Sequence, residues 1–412
     1  MSMPTHGAQS DAARVHGASI TEDVPSLEFI SGASPTWRSL DHHIQADDDE
    51  AEQWRNAESS VRDELSLIVG AETLVILAGL GTSMSVTGPD GGTVGAPRMS
   101  DLWNDLILLD SYGAAATRLN PKLISEANFE HVLSDAQARV ALDPECEELK
   151  HFIKEAQHLV WKRCSFVDDD STLTLHETFL RKVARRSTRL QRTQLFTTNY
   201  DLAFETAARR ARFNVVDGFG YGGRDFDGSS FDLDFVRRRP NEQPSLEPNV
   251  FHLLKLHGSV DWTQTDETVR KVEGEPQTPV LIYPSATKYQ LSYQQPYLEF
   301  MSRFQIALRQ PDVGLIVVGF GFNDDHLVAP IQAALRSNIG LRAIVVDPAA
   351  RHPDRSPTIR GIEDLVGHGD RRLSILKGGF TDLVLLLPDV PAQEERDAHL
   401  DRFAKGSGDA RR

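Results

Sequence analysis

The sequence has little cysteine, no long apolar run and a deficit of basic residues. Two cysteines, Cys146 and Cys164, stand among 412 residues. They cannot form a disulfide framework, and their spacing is not that of a zinc knuckle, so we expect a reduced protein without a cysteine-based structural metal. No apolar run approaches a bilayer span, and no signal-peptide segment follows the first residues, which predicts a soluble, cytoplasmic protein without membrane association.

The charge is strongly acidic, with a net charge of −16. Such a surface repels phosphate backbones at long range, so we expect no direct nucleic-acid binding. A basic stretch at 181–192 is the exception. It could meet an acidic partner or nucleic acid, but a solvated helix face is the favoured interpretation.

Short apolar runs that alternate with helical stretches indicate an α/β fold. The first run is 73–78, directly before glycines, and similar runs recur at 194–198, 280–283, 314–318, 342–346 and 373–376. Continuous apolar strands are buried on both faces, which is typical of a doubly wound, mainly parallel, Rossmann-like sheet. The region from about 105 to 192 reads as helix throughout and predicts an inserted helical subdomain.

Three segments complete the predicted organisation. Residues 1–60 are predicted as a polar extension that is loosely ordered or docks elsewhere, 61–390 as the α/β domain with its insert, and 391–412 as a charged tail. Asp41, His42 and His43 have metal-ligand side chains, but a solvated loop is favoured because nothing supplies further ligands.

Polar or glycine-rich segments follow several of the predicted strands, where ligands of open α/β sheets collect. Gly79 and Gly81 could let backbone amides approach a pyrophosphate, helped by a following helix N-terminus, although such turns are also glycine-rich for geometry alone. Residues 197–201 could bind a substrate or cap the next helix. His257, followed by Gly258, would leave an exposed imidazole suited to proton transfer. The segments at 317–326 and 345–348 also follow predicted strands, and either could be an ordinary turn.

Taken in order, these motifs resemble the sirtuin family, and more closely its bacterial sirtuin-like branch in antiphage defence. The turn at 79–83 is similar to Gly-Ala-Gly-x-Ser, 95–97 to a shortened Gly-Ile-Pro-Asp-Phe-Arg segment, and 197–201 to Thr-Gln-Asn-x-Asp. His257-Gly258 is similar to the catalytic His-Gly, and 319–321 to the later glycine turn. The four cysteines of the sirtuin zinc module are missing, so no zinc or other metal is expected. That loss favours cleavage of the dinucleotide over deacylation.

The resemblance implies an NAD⁺ hydrolase that releases nicotinamide and ADP-ribose and depletes NAD in antiviral defence. It implies His257 and Asn199 as catalytic residues. The cofactor-binding residues that it implies are Gly79, Gly81, Thr82, Ser83, Pro97, Thr198, Asp201, Gly319, Gly321 and Asp347. It also implies a homo-oligomer and, by analogy, a HerA-type hexameric ATPase as partner. The alternatives are a sirtuin-like deacylase or ADP-ribosyltransferase, and a non-catalytic subunit that binds NAD or ADP-ribose.

Overall fold

A computed structural model describes residues 26–40, 48–220, 224–265, 268–281 and 295–389. The strands are β1 (Glu28–Ser31), β2 (Ser34–Ser39), β3 (Thr73–Ala78), β4 (Gln194–Thr197), β5 (Asn214–Val216), β6 (Val236–Arg237), β7 (Ser245–Leu246), β8 (Val250–Lys255), β9 (Gly258–Gln264), β10 (Val269–Lys271), β11 (Pro279–Leu281), β12 (Val313–Val318), β13 (Leu341–Val346) and β14 (Leu373–Lys377). The helices are α1 (Asp48–Gly70), α2 (Leu80–Ser83), α3 (Met99–Leu106), α4 (Tyr112–Ala116), α5 (Pro121–Ser125), α6 (Phe129–Leu142), α7 (Glu147–Cys164), α8 (Thr174–Val183), α9 (Ala203–Ala211), α10 (Tyr297–Ala307), α11 (Asp325–Ser337), α12 (Pro357–Gly367) and α13 (Phe380–Leu386).

The central sheet has nine strands in the order β2-β1-β14-β13-β12-β3-β4-β8-β5. All neighbours from β14 to β5 pair in parallel. Every residue of β3 and β12 is buried, as expected for strands covered on both faces. The predicted α/β fold with a mainly parallel sheet and flanking helices is confirmed.

Helices cover the two faces of the sheet and enclose two separate apolar cores. One core joins the sheet to α1, α8, α9 and α13. The other joins it to α10, α11 and α12. Within the sheet, β4 is the neighbour of β3 on one side and β12 is its neighbour on the other. The chain therefore extends the sheet from β3 in one direction and later returns to extend it in the opposite direction. This reversal places a crevice at the carboxyl ends of β3, β4 and β12, where open α/β sheets bind ligands.

The helical insert is shorter than the sequence predicted. Helices α3, α6 and α7 enclose a third apolar core, which includes Leu102, Phe129 and Phe152. Helix α8 instead packs in the layer on the sheet, through Phe179 and Leu180. Its apolar period is the same as that of the insert helices, so periodicity alone could not assign it to the sheet layer.

Of the two alternatives for the N-terminal extension, loosely ordered or docked elsewhere, residues 28–39 follow the second. Strand β1 pairs antiparallel with β14, and β2 pairs antiparallel with β1, so the hairpin continues the sheet. Helix α1 begins at Asp48 and crosses the predicted boundary at 60. The 41–43 cluster and the charged tail at 391–412 lie outside the described residues.

The described part of the apolar run at 280–283 does not join the parallel sheet. It belongs to β11, which pairs antiparallel with β9 in a small sheet of order β10-β9-β11. Among the described residues, no helix is both long and apolar enough to cross a bilayer.

Candidate functional site

A cleft of about 560 Å³ lies between the carboxyl ends of the parallel strands and the helical insert. Residues that follow β3, β4, β8 and β12 form one wall. The insert contributes Leu102, Asn128, Glu130, His131 and Cys164 to the other wall. The volume lies within the range of about 300–1,000 Å³ that is usual for small-molecule sites.

The two glycine turns pack directly against each other. The N–H of Gly79 donates to Val318 O at 3.0 Å, and the N–H of Gly81 donates to Gly319 O at 3.0 Å. A Cβ added to Gly81 would lie 2.6 Å from Gly319 Cα, so side chains are excluded from this contact. Glycine is therefore required here by the close approach of two backbones.

This packing differs from the predicted pyrophosphate cradle. The N–H of Gly79 is hydrogen-bonded to the last residue of β12, that of Gly81 to the second glycine turn, and that of Thr82 to Gly79 O at 3.0 Å. The helix that follows, α2, has only four residues. The expected helix N-terminus is thus a single turn, and the sequence could not reveal this because a glycine turn precedes short and long helices alike.

Asn199 fastens the tip of β4 to the first glycine turn. Its side-chain nitrogen Nδ2 lies 3.0 Å from Gly79 O, 3.1 Å from Thr82 Oγ1 and 2.7 Å from Ser83 Oγ. The Ser83 hydroxyl in turn donates to Asp201 Oδ2 at 2.6 Å. These contacts fix the positions of Asn199 and Asp201, both of which line the cleft.

Asp201 bonds to the start of the next helix and also lines the cleft. Its Oδ1 accepts a hydrogen bond from the N–H of Ala203 at 3.0 Å, at the start of α9. Asp201 is also one of the residues that line the cleft. Thr198 lines the cleft as well, and its N–H donates to Ala78 O at 3.1 Å.

A buried lysine, Lys255, binds the backbone of residues 200 and 201. It was not identified from the sequence. Lys255 Nζ donates to the carbonyl oxygens of Tyr200 and Asp201, and it pairs with Glu205 at 2.9 Å. Burial raises the pKa of the Glu205 carboxyl, an effect that the Lys255 ammonium opposes. A lysine inside an apolar run at 250–256 was the available signal, because buried lysine is rare unless it is paired.

His257 lies at the tip of β8 and lines the cleft, but it is buried rather than exposed as predicted. Gly258 has a positive φ of 91°, and a Cβ there would lie 1.9 Å from Val280 O. The glycine therefore allows the tight turn from β8 into β9 and the close approach of β11 to Gly258. His257 Nε2 lies 2.9 Å from Asp324 Oδ2.

Asp324 is the N-cap of α11, since its Oδ1 accepts a hydrogen bond from the N–H of His326 at 3.0 Å. The sequence left open whether this carboxylate caps a helix or faces the ligand. The structure shows the cap, and it also places Asp324 among the residues that line the cleft.

The remaining predicted residues fall into three groups, of which the third is Asp347 alone. Gly79, Gly81, Pro97, Gly319 and Gly321 line the cleft together with the residues already described. Thr82 and Ser83 are buried behind it and act through their hydrogen bonds.

Asp347 does not line the cleft. It follows β13, next to the second glycine turn, and its Oδ1 accepts a hydrogen bond from the N–H of Ala349 at 2.6 Å. Burial raises the pKa of Asp347. The sequence predicts that Asp347 follows a strand of the sheet. It does not reveal that Asp347 lies outside the cleft lining.

The charges around the cleft are mixed. Asp201, Glu130 and Asp324 supply carboxylates, and Arg98 is the one lysine or arginine that lines the cleft among the described residues. Burial, reinforced by the charge of Asp201, raises the pKa of the Cys164 thiol to about 12. Cys164 is therefore protonated near neutral pH and is a poor nucleophile. Within the described ranges, no three His, Cys, Asp or Glu side chains are arranged to hold a metal ion.

Much of the basic stretch at 181–192 has structural partners. Arg186 is buried and donates to backbone oxygens that include Gln191 O at 3.2 Å. Lys182 donates to Val384 O and Leu387 O. Neither side chain is therefore displayed on a solvated helix face.

Comparison with known families supports a sirtuin-like, NAD-related protein. Residues 193–360 match the model of the SIR2-like domain. The matched segment contains Asn199, Asp201, His257 and Gly319, whereas the first glycine turn precedes it. No curated protein matches the chain.

Proposed function

We propose that the cleft binds NAD⁺ and hydrolyses it to nicotinamide and ADP-ribose. The observation that carries this proposal is the meeting of Asn199, Asp201 and His257 on one cleft, although they follow two different strands. The cleft also borders both glycine turns, and Arg98 offers a cation to the negative pyrophosphate.

Each polar residue has a distinct task in this proposal. Asp201 accepts hydrogen bonds from the nicotinamide carboxamide, and its anchors at Ser83 and Ala203 keep the carboxylate in place. Asn199 orients the nicotinamide ribose and the attacking water. Because both side chains are held before the substrate arrives, little reorganisation is needed during the reaction.

His257 does the acid–base work. The bond between nicotinamide nitrogen and C1′ breaks, and its electron pair neutralises the positively charged ring. Water adds to C1′, and His257 takes the proton that water loses, either directly or through a ribose hydroxyl. The proton then passes to solvent. General-base catalysis of this kind typically contributes about 10²- to 10⁴-fold.

Product analysis by chromatography tests the activity. Purified protein is mixed with NAD⁺, with and without a candidate partner, and nicotinamide and ADP-ribose are quantified. His257→Ala should lower kcat by about 10²-fold or more, and Asn199→Ala should also slow turnover. His368→Ala, at the end of α12, is the matched control and should leave kcat unchanged.

Three outcomes would contradict the proposal. Equal turnover by His257→Ala and the wild-type protein would remove the imidazole from the mechanism. Turnover that requires an acyl-lysine peptide or an acceptor protein would indicate a deacylase or transferase. Binding of NAD⁺ without product in every assembly state would indicate a non-catalytic subunit.

We extend the proposal to a cytoplasmic effector of antiviral defence that acts by depleting NAD. In this account the chain forms a homo-oligomer and is controlled by a HerA-type hexameric ATPase. The support is the resemblance of the motifs, together with the SIR2-like match at 193–360. Mass photometry of the chain with such an ATPase should give a complex of defined stoichiometry. Two separate species at all concentrations would refute the partnership.

A further inference from the structure

The carboxylate of Asp324 joins two strand tips that are far apart in the sequence. It follows β12, whereas His257 follows β8, and Asp324 Oδ2 lies 2.9 Å from His257 Nε2. The side chains of His257 and Asp324 are only 7% and 5% exposed. Little water competes for this contact, so the hydrogen bond is stronger than an exposed one would be.

The second oxygen of Asp324 fixes the orientation of the carboxylate. Oδ1 accepts from the N–H of His326 at the start of α11, which leaves Oδ2 for the imidazole. An ionised carboxylate only accepts hydrogen bonds, so Nε2 must carry the hydrogen. In the neutral ring the lone pair is then on Nδ1, the atom that can take a proton.

We propose that Asp324 is a positioning residue that holds His257 in the Nε2–H tautomer and stabilises the imidazolium formed when Nδ1 takes a proton. The catalytic consequence rests on the proposed hydrolase function. No atom is transferred to Asp324. The proton gained by His257 comes from the attacking water, and the carboxylate stays ionised throughout. One short side chain thus fixes both the start of α11 and the ring that borders the cleft.

Other titratable groups face the same space. Asp201, Glu130, His131, Arg98 and Tyr200 line the cleft with His257 and Asp324. The charge of Asp324 also acts on Tyr297 at the start of α10. Burial raises the pKa of the Tyr297 phenol, and this charge adds to the effect. The kcat profile of the wild-type protein alone would contain the titrations of all these groups. The effect of Asp324 is therefore measured by comparing the profiles of the wild-type protein and the Asp324 variants.

Asp324→Asn is the informative substitution because it preserves the shape and the helix cap. The amide oxygen can still accept from His326, since asparagine is a good N-cap residue. The amide N–H groups then face Nε2, which must become an acceptor, so the other tautomer is favoured. We expect kcat to fall by about 10²- to 10⁴-fold with little change in KM. The acid limb of the kcat profile should move to lower pH, because the variant lacks the carboxylate that favours the imidazolium.

Two further variants separate positioning from capping. Asp324→Ser keeps a capping hydroxyl but is too short to reach His257, so kcat should fall while stability stays near that of the wild-type protein. Ser356→Ala removes the cap of α12, where Ser356 Oγ accepts from the N–H of Thr358. It should lower the free energy of unfolding by about 1 kcal/mol and leave kcat and its pH profile unchanged. A wild-type kcat in Asp324→Asn or Asp324→Ser would overturn the proposal.

The tautomer can be observed without any turnover. Nitrogen NMR of protein with ¹⁵N-labelled histidine, assigned with His257→Gln, should show Nε2–H for His257 in the wild-type protein and Nδ1–H in Asp324→Asn. The same tautomer in both proteins would overturn the proposal. If the wild-type protein releases no nicotinamide, the hydrolase proposal fails, while this spectrum still decides whether Asp324 orients the ring.

Discussion

At the scale of single residues, the contact between the two glycine turns is the feature least tolerant of a side chain. Gly319 has a φ of 64°, and a Cβ there would lie 2.7 Å from Gly81 Cα and 2.8 Å from Thr82 N. Gly319→Ala should therefore lower the free energy of unfolding by about 2–4 kcal/mol, because it adds left-handed strain to a backbone clash.

Gly321→Ala is the matched control in the same turn. Its Cβ would meet only the side-chain amide of Asn323 at 3.1 Å, which can move. Its unfolding free energy in urea should stay within about 1 kcal/mol of the wild-type value. Equal destabilisation by the two substitutions would show that the close approach of the turns is not what requires glycine.

The ion pair between buried Lys255 and part-buried Glu205 gives a second prediction. Lys255→Met removes the ammonium from two carbonyl oxygens and leaves Glu205 without its partner. The free energy of unfolding should fall by about 3 kcal/mol. Adding Glu205→Gln to Lys255→Met should recover part of this loss, because no part-buried carboxylate is then left without its ammonium partner. No recovery in the double variant would mean that the pair is energetically unimportant.

Sequence reasoning found the residues of the site better than the contacts between them. Asn199, Asp201 and His257 stand in recognisable motifs at predicted strand tips, and the structure places all three on the cleft. The contact of Asp324 with His257 was out of reach, since it depends on the spacing of β8 and β12 in the sheet. The burial of Lys255 depends likewise on neighbouring elements.

At the scale of elements, the insert supplies most of the third apolar core, which Tyr200, Val260 and Leu281 also join, and it forms a wall of the cleft. Phe152 on α7 is fully buried in this core, near Leu102 and Phe129. Phe152→Ala should destabilise the insert by about 3–5 kcal/mol. Because the sheet has separate cores, hydrogen exchange should accelerate at 99–164 and remain slow in β3 and β12.

Leu142→Ala is the control for this prediction, since Leu142 on α6 is 88% exposed. It should leave the exchange pattern unchanged. In Phe152→Ala, NAD⁺ binding should weaken along with the insert. If exchange in β3 and β12 accelerated as much as at 99–164, the core of the insert would not be independent of the cores on the sheet.

Elements with a strong pattern were predicted, and short or atypical ones were not. The continuous apolar strands β3, β12 and β13 were located to within a residue or so. Strand β2 contains Pro35 and is mostly polar, which is acceptable only because it lies at the edge of the sheet. Strand β1 has only four residues, and its pairing with β14 crosses nearly the whole chain.

At the scale of the whole molecule, two histidines make stability depend on pH. His176 packs between Phe204 and Phe380, with ring centroids 5.1 Å away, and neither ring nitrogen has a hydrogen-bond partner in the described structure. Burial lowers the pKa of His176 from 6.5 to about 4, although the charge of Asp201 opposes this. Burial also lowers the pKa of His252 to about 4.

Because the unfolded chain binds protons first, stability should fall as the pH drops from about 6.5 towards about 4 and should be independent of these groups above that window. His176→Leu should remove about 2 kcal/mol of the loss between pH 7.5 and pH 5. Urea unfolding at both pH values measures this difference. His151→Gln, at an exposed position, should leave it unchanged. An unchanged loss in His176→Leu would mean that His176 is not buried as a neutral ring.

The fold could be predicted at this scale because a parallel sheet imposes a repeated pattern on the whole chain. The site then follows from topology, since the reversal between β3 and β12 creates the crevice. The size of the cleft and its second wall depend on how the insert packs, which no local pattern in the sequence specifies.

The most direct test of the central claim is a crystal structure of His257→Ala with NAD⁺ bound. The account predicts the nicotinamide riboside between Asn199, Asp201 and the vacated imidazole position, with the pyrophosphate near Arg98 and the glycine turns. A dinucleotide bound away from position 257, or with its adenosine end in the place of the nicotinamide, would contradict it.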